Sequence, residues 1–234
     1  MFGYINGILN NKILKTLIGI DFSLNSPAFC VRKGNQLIWG SLTRSERDRE
    51  SYIKSSKKPY AVLDPQEEFN FLFMDKKKMP DDYSEKERIK IDYFQELVDI
   101  FWTSIMEICK DEEIVVAMEG LSFSSNGNAL IDISMATALL RKKIVDQTGS
   151  SNFHVFSPTS VKKFALKGNA KKHELYESLV NLDSGETNLG KFTKILEDNK
   201  HEWITGGGNV NKPLDDMIDA TYICLYLYDT VGKN

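Results

Sequence analysis

Two carboxylates stand where apolar runs stop. Asp21 follows Leu17-Ile18-Gly19-Ile20, and Glu119 follows Ile114-Val115-Val116-Ala117-Met118. Acids at such places lie at the edge of an α/β sheet and face a crevice. Further along, Asp215, Asp216 and Asp219 precede an apolar stretch, Ala220 to Tyr228, that holds no charge before Asp229. On a helix, positions 216 and 219 share a face as i, i+3, and 215 and 219 can share one as i, i+4. Carboxylates that converge from separate elements suit hard divalent cations such as Mg²⁺. Two such ions about 4 Å apart can clamp the attacking and leaving oxygens of a phosphodiester. Each acid also has an ordinary explanation. An acid after a strand is a common turn or cap residue, and Asp215 and Asp216 in a first helical turn complement the helix dipole. Asp219 fits that explanation less well, being past the first turn and at the edge of an apolar face.

A second feature is charge of the opposite sign. Residues 157–174 hold Lys162, Lys163, Lys167, Lys171 and Lys172 against Glu174, a net of +4 in a chain whose total is −3. A positive island on an acidic protein suits local phosphate docking, and otherwise is a solvated surface. Arg141-Lys142-Lys143 follows Glu119 on the next helical stretch and either extends the track or is plain helix surface. Phe123, in a Ser/Asn/Gly-rich loop four residues past Glu119, either stacks on unpaired bases or packs in the core. His154, His173 and His201 form no spaced set, so a Ser-His-Asp arrangement cannot be assembled. Gly206-Gly207-Gly208 lacks the Lys-Ser/Thr of a phosphate loop and reads as a hinge before the last helix.

The elements that must position these groups follow from periodicity. Residues 17–22, 28–32 and 37–42 are strand-like runs, with a turn at Lys33-Gly34-Asn35-Gln36. Residues 42–88 hold 11 basic and 11 acidic residues, so much of this stretch is expected to be a solvated, partly ordered insertion. Flexible portions are expected near Ser55-Ser56-Lys57-Lys58 and Lys76-Lys77-Lys78, while Phe69, Phe71 and Phe73 alternate as an extra strand would. Ser84 with Glu87 forms a capping box ahead of a helix to about Lys110. A strand at 114–118, a helix over 130–144 and a short strand at 154–156 come next. Ser157-Pro158 opens another helix, and a final helix runs from Asn211 and Pro213 to about Val231. An antiparallel meander followed by strand–helix alternation predicts an α/β mixed sheet with helices on both faces.

Length and composition fit one soluble globular domain spanning 1–234, with 41% apolar and 27% charged residues. No apolar run is long enough to cross a bilayer, and the first 15 residues do not read as a signal peptide. A cytoplasmic location and no membrane partner are therefore expected. Cys30, Cys109 and Cys224 are odd in number and set in apolar runs, which predicts buried reduced thiols and no structural zinc.

Several of these segments together resemble the RuvC-type Holliday-junction resolvases of the RNase H-like (retroviral-integrase) nuclease superfamily. They are Ile18-Gly19-Ile20-Asp21-Phe22-Ser23, the strand Val115 to Glu119, Pro158 with Val161-Lys162-Lys163 and Gly168, and Asp216-Met217-Ile218-Asp219-Ala220. The match spans nearly the whole chain except 42–88. Glu119-Gly120-Leu121-Ser122-Phe123 with Gly127-Asn128 looks most like the phage-encoded branch, which implies a bacterial host cell. The resemblance implies an RNase H-like mixed sheet of five strands. It also implies four metal-binding carboxylates, Asp21, Glu119, Asp216 and Asp219, with Asp219-Ala220 selecting Asp216 over Asp215. Lys162 and either Lys171 or Lys172 are implied near the scissile phosphate, with Lys171 taken for the site. Pro27 stands where the family commonly has Gly.

The expected activity is that of a Mg²⁺-dependent, structure-selective DNA endonuclease, with two ions per site and Mn²⁺ as a substitute. It would resolve four-way junctions by paired symmetric nicks, leaving 5′-phosphate and 3′-hydroxyl ends. Lys162, Lys163, Lys167, Lys171, Lys172, Phe123 and Arg141 are the expected DNA contacts. Paired nicks need two sites about a twofold axis, hence a homodimer, with the apolar face of helix 129–148 as a candidate interface. Three rivals remain at this stage. One is a broader branch- or flap-cutting nuclease of the same fold, which the insertion keeps open. A second is a non-catalytic junction-binding protein, against which the complete acid set argues. A third is an RNA-directed hydrolase of the superfamily, which RNA–DNA hybrid substrates would reveal.

Overall fold

A computed structural model describes residues 15–45, 50, 59–110, 112–121, 127–182 and 187–232. Strands β1 (Thr16–Asp21), β2 (Ala28–Lys33) and β3 (Gln36–Ser45) form the antiparallel meander. Gly34, at φ 58°, supplies the left-handed turn between β2 and β3. On the other side of β1, strands β5 (Ile114–Glu119) and β6 (Phe153–Phe156) add in parallel. Strand β4 (Phe69–Asp75) pairs in parallel with β3, and the order is β4-β3-β2-β1-β5-β6. The class is the expected one, α/β with a mixed sheet and helices on both faces, but among the described residues the sheet has six strands rather than five.

The sixth strand comes from the stretch expected to be a solvated insertion. Its alternating aromatics explain the correction. Phe69 stacks on Trp39 at 5.2 Å, and Phe71 meets Tyr60 of the short helix α1 (Tyr60–Leu63) edge-on at 4.9 Å. The aromatic positions of this strand carry no charge, so they pack while charged neighbours such as Asp75 stay exposed. Lys76, Lys77 and Lys78 are exposed. Ser55 to Lys58 lies outside the described residues.

Both faces of the sheet are covered. On one lie α2 (Tyr83–Cys109) and α3 (Gly127–Thr148), packed on Ile18, Ile20, Val116 and Met118. Asp82, not Ser84, caps α2, its side chain accepting from the Glu85 N–H at 2.8 Å. An Asp at the cap satisfies that orphan donor as well as a Ser does, and it stands two residues earlier in the chain. On the other face lies α8 (Leu214–Leu227), flanked by α4 (Pro158–Ala165), α5 (Lys172–Val180), α6 (Leu189–Asp198) and α7 (Lys200–Trp203). Ser157 caps α4 and accepts from the Ser160 N–H at 3.1 Å, with Pro158 at the first helical position as the sequence predicts. Cys30, Cys109 and Cys224 are free and buried. No helix among the described residues is long and apolar enough to cross a membrane.

Candidate functional site

Strand parity points the two strand-end acids. Leu17 on β1 and Val115 and Ala117 on β5 pack toward α8, while their even-numbered neighbours pack toward α2 and α3. Asp21 and Glu119 continue the odd series. The two strands are parallel neighbours with Ile20 beside Met118, so both acids arrive together at one edge, on the α8 side. Helix α8 reaches them because β1 carries Gly19. A Cβ there would stand 2.3 Å from the Cys224 nitrogen and 2.4 Å from the Ala220 oxygen. Only glycine allows this approach, and it brings Asp215, Asp216 and Asp219 to the same edge.

The electrostatics record that convergence. Burial drives the Asp21 carboxyl well above the usual range, and the charges of Asp219, Asp216 and Glu119 push it further up against the pull of Lys172. Glu119 is raised to about 7 by burial and by Asp219, with Lys162 and Lys172 pulling the other way. Burial and Asp215 also raise Asp216, opposed by Lys212 and by a hydrogen bond from Ser26. Asp21 thus lies within reach of the charges of Asp216, Asp219 and Glu119, and Glu119 within reach of that of Asp219.

Lysines close it. Burial disfavours the Lys172 ammonium, but Asp219 and Asp21 outweigh that, and its pKa lies above the ordinary lysine value. Lys172 donates to Asp219 and stands 3.9 Å from Asp215. Of the two lysines between which the resemblance leaves a choice, the structure brings Lys172 to the acids. Lys171 is exposed, and its backbone N–H donates to Glu174 at 2.7 Å. Lys162, on α4, is near enough for its charge to oppose the rise at Glu119. Lys163 is exposed, and Lys167 pairs with Glu174 at 2.5 Å. Arg141 reaches the Glu119 carbonyl oxygen at 3.4 Å, with its Nε buried and unpartnered. Lys142 and Lys143 instead pair with Asp146 and Asp99, so the Arg-Lys-Lys run does not act as one track. Phe123 lies outside the described residues.

Sequence reasoning passed over Ser26 and Lys212. The Ser26 hydroxyl donates to Asp216. Lys212 donates to Asp216 and stands 3.2 Å from Asp215. Lys212 had a signal, since it precedes these acids by three and four residues. Ser26 had none, because its partner is 190 residues away. Beside Asp21 and Glu119 a cavity of about 330 Å³ opens toward α3, lined in part by Phe22, Leu24, Leu121, Ile133 and Thr137.

The donor set is all carboxylate oxygen, which fits a hard divalent cation. The buried Asp215 Oδ1 has no hydrogen-bond partner, a further oxygen that a cation could satisfy. Among the described residues no three acid, His or Cys side chains stand in a metal-ligating group. The ammonium groups of Lys172 and Lys212 lie among the carboxylates instead.

No protein-family model matches the chain, and no curated protein matches it. Among solved structures, the chain is similar to T. thermophilus RuvC in complex with Holliday junction substrate. Identity is 11% and the TM-score 0.45, over 93% of this chain and 96% of that one. It is also similar to the yeast mitochondrial Holliday junction resolvase Ydc2, at 13% identity and a TM-score of 0.46, over 90% of this chain and 76% of that one.

Proposed function

We propose that this chain is a metal-dependent, structure-selective DNA endonuclease that resolves four-way junctions by paired symmetric nicks, working as one nuclease domain in a homodimer. The observation that supports the reading is that Asp21 and Glu119 end neighbouring parallel strands against which α8 packs, with Ser26 bonded to Asp216 and Lys172 to Asp219. Buried like charges cost stability and are retained where chemistry needs them. Asp21, Glu119, Asp216 and Asp219 would hold Mg²⁺ or Mn²⁺, which when bound supplies charge neutralisation at the phosphodiester and a nucleophile at neutral pH.

The chain's own groups do the rest. Ser26 fixes the Asp216 carboxylate, and Lys172 fixes Asp219. Lys162, next to Glu119, is placed to meet the scissile phosphate and offset its developing charge. The exposed Lys163 and Lys171 dock neighbouring backbone phosphates, which position the strand without reading its sequence. Arg141 braces the backbone at Glu119. The bacterial cytoplasm is the proposed setting.

Product mapping on a labelled synthetic four-way junction with Mg²⁺, beside matched duplex and flap, tests this. Symmetric paired nicks confined to the junction are expected. Equal cutting of flaps would demote the protein to a general debranching nuclease. Junction binding without any Mg²⁺- or Mn²⁺-dependent cutting would leave a binding protein. A monomer at micromolar concentration with junction bound would remove the dimer.

A further inference from the structure

Lys212 stands in an unusual position for a surface lysine. It lies just before α8, and its ammonium meets Asp216 and approaches Asp215 Oδ2 at 3.2 Å. That same Asp215 oxygen is 3.9 Å from the Lys172 ammonium. One carboxylate oxygen is thus shared by two ammonium groups, while the buried Oδ1 of Asp215 has no partner. Positive charge is short here, and lysine supplies what there is.

The partners differ in freedom. The Asp215 and Asp216 side chains are 11% and 5% exposed, whereas the Lys212 side chain is 51% exposed. The acids are held by the core around α8 and, at Asp216, by Ser26. The lysine is a strongly hydrated point charge on a flexible four-carbon stem. If a second cation arrives, the lysine is the part that can leave, because water can receive it.

We propose that Lys212 is an internal counter-cation of the Asp215–Asp216 pair, which a divalent ion must displace, so that Lys212 sets the cation concentration at which the site loads. The proposal rests on reading Asp216 as a metal ligand. Without the divalent ion, Lys212 offsets the repulsion between two adjacent buried carboxylates. With the ion present, the ammonium swings to solvent and the ion takes its place at Asp216. Competition of this kind couples the two cations with opposite sign, and each weakens the other.

Calcium titration calorimetry on the full chain without DNA tests the competition. Lys212→Gln is expected to bind Ca²⁺ about fivefold tighter or more than the wild type, and its cation-free form to melt at a lower temperature. Ser26→Ala loosens Asp216 but keeps the lysine, and is expected to bind no tighter than the wild type. Equal or weaker Ca²⁺ binding by Lys212→Gln overturns the proposal and leaves the metal site standing. Absence of binding in both wild type and variant removes the metal site as well. A second measurement uses the wild type alone, so it holds even if the variant does not fold. Amine acylation of Lys212, read by mass spectrometry, is expected to increase when Ca²⁺ is added, and an unchanged or reduced yield overturns the displacement.

Discussion

Helices α8 and α2 lie on opposite faces of the same sheet, and they treat charge in opposite ways. Helix α2 is 27 residues long and buries a single stripe, from Tyr93 and Phe94 through Phe101 and Trp102 to Cys109. Its acids face outward, where Glu96 pairs with Lys77, Glu87 with Lys90 and Asp99 with Lys143. Exposed pairs of this kind contribute about 0–1 kcal/mol each. Helix α8 is about half as long, and all of its residues but Asp219, Leu225 and Tyr226 are buried. Two of those buried residues are Asp215 and Asp216. A helix that is enclosed on nearly every side has no solvent face on which to discard an acid. An acid there is either compensated or costly, and these are only partly compensated. The contrast separates carboxylates that water solvates from carboxylates that the proposed chemistry would use.

Substitution should widen that contrast. Asp216→Asn is expected to reduce junction cleavage about a thousandfold or more while leaving junction binding intact, whereas Asp99→Asn on α2 should stay within about twofold, the scale of a surface pair. Nicking rates and gel-shift affinities on one labelled junction measure both. Next in size is the contact that brings α8 to the acids. Gly19→Ala drives a methyl into the α8 backbone and should cost about 3 kcal/mol or more in urea unfolding. Gly127→Ala at the start of α3 meets nothing within 4 Å and should change stability by under about 1 kcal/mol. Equal losses at the two glycines would mean that α8 is not pressed on β1 as described.

Two smaller effects sharpen the picture within the site. Lys172→Gln should slow cleavage about a hundredfold. Lys171→Gln should weaken junction binding modestly and lower its salt dependence by about one unit of log–log slope. The reverse ranking would give the active lysine to position 171. A further effect concerns protons. Glu119 is raised from 4.5 to about 7, so between those values the native protein holds a proton that the unfolded chain has released. Stability therefore falls as pH rises through that window. Without divalent cation, thermal melts should show a steeper loss from pH 5 to pH 7.5 in the wild type than in Glu119→Gln.

Much of this was legible in the chain. Continuous apolar runs mark β1, β5 and α8, because elements covered on nearly every side leave unbroken apolar stretches in the sequence. Asp21 and Glu119 stand out as charges that end buried runs, and Asp216 and Asp219 as charges at the edge of one. The insertion was harder to read, since charge density is an average and β4 depends on three aromatics within it. Which acid caps α2 was equally hidden, because Asp82 and Ser84 are both competent and only backbone geometry chooses.

The sequence by itself offered the candidate acids, the basic segment and the class of fold, since each rests on residue type and local spacing. The choice of Asp216 over Asp215 came from the family resemblance. Tertiary structure decided what meets what. It selected Lys172 over Lys171 at Asp219, brought Ser26 and Lys212 to Asp216, and separated Arg141 from Lys142 and Lys143. Those choices depend on the approach of α8 to β1 at Gly19 and on chain directions set by distant packing. Local sequence carries no record of either.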